Sequence, residues 1–197
     1  MDNRYLDNIT LESTGDKVLN VKNSSSIFLI NIDEELEKQL VELVLNPEEN
    51  YQYEVEQEDV PETVNVVDQP KERPSKTSGS DTWSYKRDSK TSKTAIVTSN
   101  YKCEIDASHE AFISRVTGKN YVEAYHLIPM EYQEDFTNSI DVEANIVSLC
   151  VGCHKKLHHA TYAIIKPLIE KLYDDRLYRL KDCEIDLTKA KLLSYYK

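Results

Sequence analysis

All five histidines of the 197-residue chain, His109, His126, His154, His158 and His159, lie between positions 103 and 159, with three of its four cysteines, Cys103, Cys150 and Cys153. Imidazole and thiolate are the groups with which proteins hold zinc and other borderline metals, so this clustering points to chemistry. Cys103 and His109 form one pair, and Cys150 and Cys153, with the two-residue spacing typical of zinc sites, form another. Two pairs separated by a long insertion satisfy a tetrahedral structural zinc, because each pair supplies two corners and the insertion folds between them. The expected zinc knot is therefore Cys103, His109, Cys150 and Cys153, with Asp106 as the alternative to His109. Cys183 stands apart and reads as a packed thiol.

His154 and His158 are spaced i, i+4 at the start of a helical stretch, so they project from one face and can grip one metal together. That metal differs from the zinc: neighbours on a helix point about 100° apart, so Cys153 can face the knot while His154 faces an adjoining cleft. His126, on a preceding strand, can reach the same cleft, and it arrives with this metal-ligand pair and the polar Asn145.

The elements that position these groups are legible in outline. A helix is expected over 89–100, a short one over 108–115, a turn at Thr117-Gly118-Lys119-Asn120, and a strand over 121–128 stopped by Pro129. Residues 141–149 read as a second extended or short helical stretch, 153–174 as one helix kinked at Pro167, and 177–196 as one or two short helices. Nearer the start, Ile27-Phe28-Leu29-Ile30-Asn31-Ile32 is a candidate strand. Asp33 caps a candidate helix through 46, with Leu36, Leu40, Leu43 and Val44 at helical spacing. From 47 to 82 the chain is rich in Glu, Gln, Pro, Ser and Thr, a composition that buries too little surface to offset chain entropy. The expected organisation is a small strand-helix segment over 1–46, a disordered acidic linker over 47–82, a functional domain over 83–175 and a helical tail over 176–197.

Charge is divided along the same lines. Residues 1–82 carry 19 Asp and Glu against 7 Lys and Arg, a net of −12, whereas 83–197 carry 16 against 17, a net of +1, together giving the overall −11. Overall acidity therefore does not exclude nucleic acid, since it belongs to the first part of the chain. Across 83–102, Lys86, Arg87, Lys90, Lys93 and Lys102 face one acid, Asp88, and could touch phosphate. The acidic linker reads as a solvated tether or, more sharply, as a strip that covers this basic surface until a partner removes it. No apolar run approaches the roughly 18–20 residues of a membrane span. The start, Met1-Asp2-Asn3-Arg4, lacks the apolar core of a signal peptide, so a cytoplasmic protein is expected.

The stretch Tyr121-Val122-Glu123-Ala124-Tyr125-His126-Leu127-Ile128-Pro129-Met130, followed by Asp141-Val142-Glu143-Ala144-Asn145-Ile146-Val147-Ser148-Leu149-Cys150-Val151-Gly152-Cys153-His154-Lys155-Lys156-Leu157-His158-His159, resembles the HNH endonuclease family. The combination of His-x-x-Pro, Asn, Cys-x2-Cys-His and His is far more specific than any element alone, and the likeness covers about residues 100–160. It implies an α+β fold: a ββα-metal core with a structural zinc knot and flanking helices, joined to the small acidic N-terminal segment. It implies that His126 is the general base and that Asn145 orients it or the loop. It further implies that His154 and His158 hold a catalytic divalent ion, Mg²⁺, Mn²⁺ or Ni²⁺. One position departs from the pattern, since the residue before the base is usually a His or Asp ligand and here is Tyr125. A phenol is a poor ligand for Mg²⁺ at neutral pH, so Tyr125 either coordinates as phenolate or leaves its place to Glu123 or water.

The function implied is a DNA endonuclease that hydrolyses phosphodiester bonds, with Lys86, Arg87, Lys90, Lys93, Lys155 and Lys156 as phosphate contacts that position DNA without reading sequence. Small proteins resembling this one are found in prokaryotic restriction and antiphage defence systems, in phages and in mobile elements, and a restriction or defence effector is expected here. Either cutting is nonspecific or a partner protein supplies the target, with residues 1–46 as the attachment for that partner or for a homodimer. The alternative is a noncatalytic zinc-stabilised subunit for DNA binding or assembly.

Overall fold

The computed structural model describes residues 9–10, 18–23, 26–31, 47–73, 85 and 87–197, and the chain divides into two compact units. In the first, strands β1 (Ile9–Thr10), β2 (Val18–Asn23) and β3 (Ser26–Asn31) form an antiparallel sheet in that order. The β2–β3 register runs from Val18↔Asn31 to Asn23↔Ser26. The strand expected over 27–32 is β3, displaced by one residue at each end; β1 and β2 carry no apolar run that would announce them. The helix expected from Asp33 through 46 lies outside the described residues.

The disordered linker expected over 47–82 is corrected over 47–73. Residues Pro47–Gln57 form helix α1, with proline at the first helical position and Glu48 and Glu49 at the positive end of its dipole. In the second unit, which takes in residues 52–75 and 84–197, Gln52 docks on a strand edge. Its Nε2 donates to the Ala124 carbonyl at 2.8 Å, and its Oε1 accepts from the Ala124 N–H at 2.9 Å. After α1 the chain runs as an irregular strap. Asp68 accepts two bonds from Arg179, at 2.6 and 2.9 Å, and the Lys71 carbonyl accepts from the Ser139 N–H. A segment with few apolar residues is ordered here because its partners come from the rest of the unit and it needs no core of its own.

Helix α2 (Ser89–Thr98) is capped by Asp88, whose side chain accepts from the Lys90 N–H, and stops where Asn100 and Tyr101 turn left-handed. The helix expected over 108–115 is replaced by a turn: Ile113 bridges Asn120, and the Ser114 hydroxyl accepts from the Val116 and Thr117 N–H groups. Gly118 holds φ +66° at its tip. Local hydroxyl bonding here competes successfully with the helix.

Strands β4 (Glu123–His126) and β5 (Ile146–Leu149) pair antiparallel from Glu123↔Leu149 to His126↔Ile146. A 3-10 turn over Met130–Asp135 lies on the connection between them, and helix α3 (Val151–His159) follows β5. The single helix expected over 153–174 is two: the chain is extended at Ala160 and Thr161 before α4 (Tyr162–Asp182). That break places Pro167 in the second turn of α4 with its ring on the exposed side. The proline's missing N–H then costs one helical bond near the helix start. A last short helix, α5 (Lys189–Ser194), completes the unit.

The described part of this unit is thus mixed helix with a small two-stranded sheet, an α+β arrangement. One apolar core joins Leu127, Ile128, Val147 and Leu149 to Leu157, Ile169 and Leu172, and continues through Leu180, Ile185 and Leu192. The boundary expected between 175 and 176 falls inside α4, and the tail belongs to this core. None of the described helices is long and apolar enough to cross a membrane.

Candidate functional site

Cys103, His109, Cys150 and Cys153 converge, their ligand atoms all within 4.8 Å of one another, and could bind a metal such as zinc. The last two come from the β5–α3 junction, where Cys150 is the helix N-cap and its sulfur accepts from the Cys153 N–H. His109 turns its Nδ1 toward the sulfurs, 3.4 Å from Cys153 and 3.8 Å from Cys150. Its Nε2 lies 3.8 Å from the Asp106 carboxylate. Asp106 is therefore behind the histidine rather than in its place, and can orient the ring.

The thiols themselves call for a cation. Burial raises Cys103, but the N–H groups of Cys150, Asp106 and Ile105 and the His109 ring outweigh it and bring the thiol to about 7. Cys153 is pushed up to about 12 by burial and by the charge of Cys103 and Cys150. One thiol is poised to ionise while its neighbour is kept from doing so, and a metal ion among them removes that conflict. The donor set fits zinc.

On the other side of α3, His154 is buried and clamped. Its Nδ1 donates to the Glu123 carboxylate at 2.5 Å, and its Nε2 lies 3.0 Å from Nε2 of the exposed His158. The i, i+4 spacing thus brings two imidazole nitrogens to one point. Tyr125 lies against both rings edge-on, with centroids 5.4 and 5.2 Å away. Its hydroxyl donates to Tyr196 Oη at 3.2 Å, and Tyr196 in turn donates to the Leu127 carbonyl at 2.5 Å. The phenol expected to ligate a metal is thus beside the histidines, with its proton directed to the C-terminal tyrosine.

Strand alternation separates His126 from this group, because Glu123 and Tyr125 share one face of β4 and His126 occupies the other. His126 Nε2 donates to Asp141 Oδ1 at 2.9 Å in a buried pair. Asn145 makes no bond to His126 and stitches the following loop instead. Its Oδ1 accepts from the Ile128 N–H at 2.7 Å, and its Nδ2 donates to the Ile128 and Ile140 carbonyls at 3.0 and 2.9 Å. Of the two roles open to Asn145, the geometry matches holding the loop. Asn145→Ala is expected to cost about 3–5 kcal/mol, because three buried backbone groups lose their partner. A urea titration checks this; a loss under about 1 kcal/mol would rule the brace out.

The cations divide into two sets. Lys155, Lys156 and Lys90 are exposed and Arg87 is half-buried, whereas Lys86 lies outside the described residues. Lys93 is corrected: only 4% exposed, it donates to the Glu56 carbonyl at 2.8 Å. Burial lowers its pKa against the opposing pull of Glu56, Glu58 and Asp59. Glu62 likewise holds Lys119 at 2.8 Å. Residues of the expected linker therefore occupy Lys93, one of the cations expected to face phosphate, as well as Lys119.

Sequence reading missed Asp141, Gln52 and Tyr196, and gave Glu123 only a fallback role. The Glu123 contact has a local signal, since a residue two before Tyr125 on a strand shares its face. The others join positions 15 to 72 apart and leave no local trace. No protein-family model matches the chain, and no curated protein matches it.

Proposed function

We propose that the second unit is a metal-dependent endonuclease of the HNH type, acting on DNA phosphodiester bonds, and that it is held together by a structural zinc at Cys103, His109, Cys150 and Cys153. The observation that carries this is the ββα arrangement itself. One strand presents His126 at its end, and the helix after its partner strand presents two imidazole nitrogens 3.0 Å apart, one of them fixed by a carboxylate. Such a separation suits two adjacent ligands of a single divalent ion, which would leave its other positions to water and phosphate. When bound there by His154 and His158, a divalent ion supplies charge stabilisation for the pentavalent phosphorus and the leaving oxygen.

The chain's own residues do the rest. Glu123 accepts the Nδ1 proton of His154 and so frees its Nε2 as a donor atom. His126 takes a proton from the attacking water, whose oxygen bonds to phosphorus as the bond to the 3′ oxygen breaks. The leaving oxygen is protonated by solvent, giving 5′-phosphate and 3′-hydroxyl ends. A scissile phosphate served by both groups would lie across the end of β4, because His126 and Glu123, which holds His154, point from opposite faces of that strand. Lys155 and Lys156, exposed on α3 beside the histidines, are the phosphate contacts this position favours. We further propose a role as effector in prokaryotic restriction or antiphage defence, with a partner protein or second copy engaged through residues 1–46.

Tyr125 favours the second reading, a noncatalytic zinc-stabilised DNA-binding subunit, because its bond to Tyr196 leaves the metal, among the described residues, two histidines as side-chain ligands. Nicking of supercoiled plasmid by the full chain in Mg²⁺, Mn²⁺ or Ni²⁺, with EDTA as control, decides between them. Metal-dependent nicking is expected, and Tyr125→His is expected to lower the half-saturating Mn²⁺ concentration about tenfold. A native chain that binds DNA but neither cuts with any metal nor gains activity from Tyr125→His belongs to the second reading.

A further inference from the structure

We infer that Asp141 is a positioning residue that sets the tautomer and aim of His126, so that Nδ1 of the ring is the atom that receives the proton of the attacking water. The inference rests on the nuclease function proposed above and adds a residue and an atom to it. Asp141 Oδ1 accepts from His126 Nε2 at 2.9 Å, and the two side chains are each 5% exposed, so the proton on Nε2 has one buried acceptor. The carboxylate is itself held. Its Oδ2 accepts from the Asp88 N–H at 2.6 Å, at the N-terminus of α2, and the Asp141 N–H donates to Ser139 Oγ at 3.1 Å. Lys71, on the strap, donates to the Asp141 carbonyl at 3.4 Å and stands 3.7 Å from the Asp88 carboxylate.

With Nε2 committed in this way, a neutral ring leaves its lone pair on Nδ1. Among the described residues Nδ1 of His126 has no partner, yet it is not sealed from solvent, unlike Ser148 Oγ, the buried side-chain polar atom there that lacks a partner. The free nitrogen therefore faces outward and the protonated one inward, the arrangement a general base requires. A carboxylate is acceptor-only, so it admits a single ring orientation; an amide in its place also offers an N–H and permits the opposite tautomer.

The test uses the full chain labelled with ¹⁵N-histidine in Mg²⁺, with His126 assigned by the signal lost in His126→Gln. Long-range ¹H–¹⁵N spectra are expected to show a proton on Nε2 and a bare Nδ1. Asp141→Asn is expected to convert His126 wholly or partly to the Nδ1–H form. It should lower kcat for plasmid nicking by about 10²-fold or more while leaving DNA affinity within about twofold. Asp141→Glu, which keeps the carboxylate, is expected to retain the Nε2–H signature. A native His126 protonated on Nδ1, or an Asp141→Asn chain with native tautomer and kcat, overturns the inference. A native chain that cuts nothing in any metal refutes the nuclease function alone, since the spectra still decide whether Asp141 sets the ring.

Discussion

His126→Gln is expected to lower metal-dependent nicking by about 10²–10⁴-fold, the range supplied by a positioned proton acceptor, while DNA binding and thermal stability stay near native values. Glutamine is the informative replacement because its amide N–H can still reach Asp141, which in the native chain accepts from His126 Nε2 at 2.9 Å. Alanine would instead leave a buried carboxylate without that partner, and a change of that kind costs about 3–5 kcal/mol, mixing lost chemistry with lost fold. Quantifying nicked plasmid over time, beside a binding isotherm and a melting curve, separates the two. Activity within about threefold of native would remove His126 from the reaction and leave the noncatalytic subunit as the better account.

Loss of the zinc knot is expected to have the largest effect on stability. Cys153→Ser should abolish stoichiometric zinc in the purified chain and lower its melting temperature by roughly 10–20 °C, on the order of 5 kcal/mol at about 2–4 °C per kcal/mol. The size follows from what the four ligands join. Cys150 and Cys153 begin α3, the helix that carries His154 and His158, while Cys103 and His109 belong to the segment between α2 and the turn at Gly118. Without the metal, three thiols share a buried place in which Cys153 is already pushed up to about 12. Cys183→Ala is the control: that thiol is also buried, yet it stands outside the cluster, so zinc content should be unchanged. Elemental analysis with calorimetry reads both outcomes. A metal-free native chain, or a Cys153→Ser chain melting at the native temperature, would show that the cluster is no metal site.

The two predictions draw on parts of the chain that differed in legibility. The Cys-His cluster could be read because each pair is local and two pairs complete one tetrahedral site, while the fold decided that the pairs converge and that Asp106 stands behind His109. The His154 and His158 pair was legible for a similar reason, since helical periodicity alone brings i and i+4 together. Helix α2 and the turn at Gly118 were legible from caps and turn residues, whereas β4 is two residues shorter at each end than the strand expected over 121–128. By contrast, the helix expected over 108–115 gave way to hydroxyl and amide bonding around Ser114 and Asn120. The long helix over 153–174 gave way to a break at Ala160 that apolar periodicity does not report.

Helix α1 and the strap after it are the clearest case of information absent from composition. Taken alone, residues 47–82 bury too little apolar surface to offset chain entropy. Gln52, Asp68 and Lys71 instead spend their polar groups on Ala124, Arg179 and Asp141, positions 70 to 111 away in sequence. The same long-range bonding removed Lys93 from the phosphate-facing set.

By itself the sequence determined the donor types, their spacing along the chain, the split of charge and the order of short elements around the histidines, because each depends on neighbours within a few residues. Tertiary structure alone decided which face of β4 each side chain occupies relative to its partners, that Asp141 holds His126, that Tyr196 accepts the Tyr125 hydrogen bond, and that Asn145 braces a loop. Those outcomes depend on a buried hydrogen-bond donor finding its acceptor across the fold, where an unmade bond costs more than a made one gains, and no local pattern encodes that match.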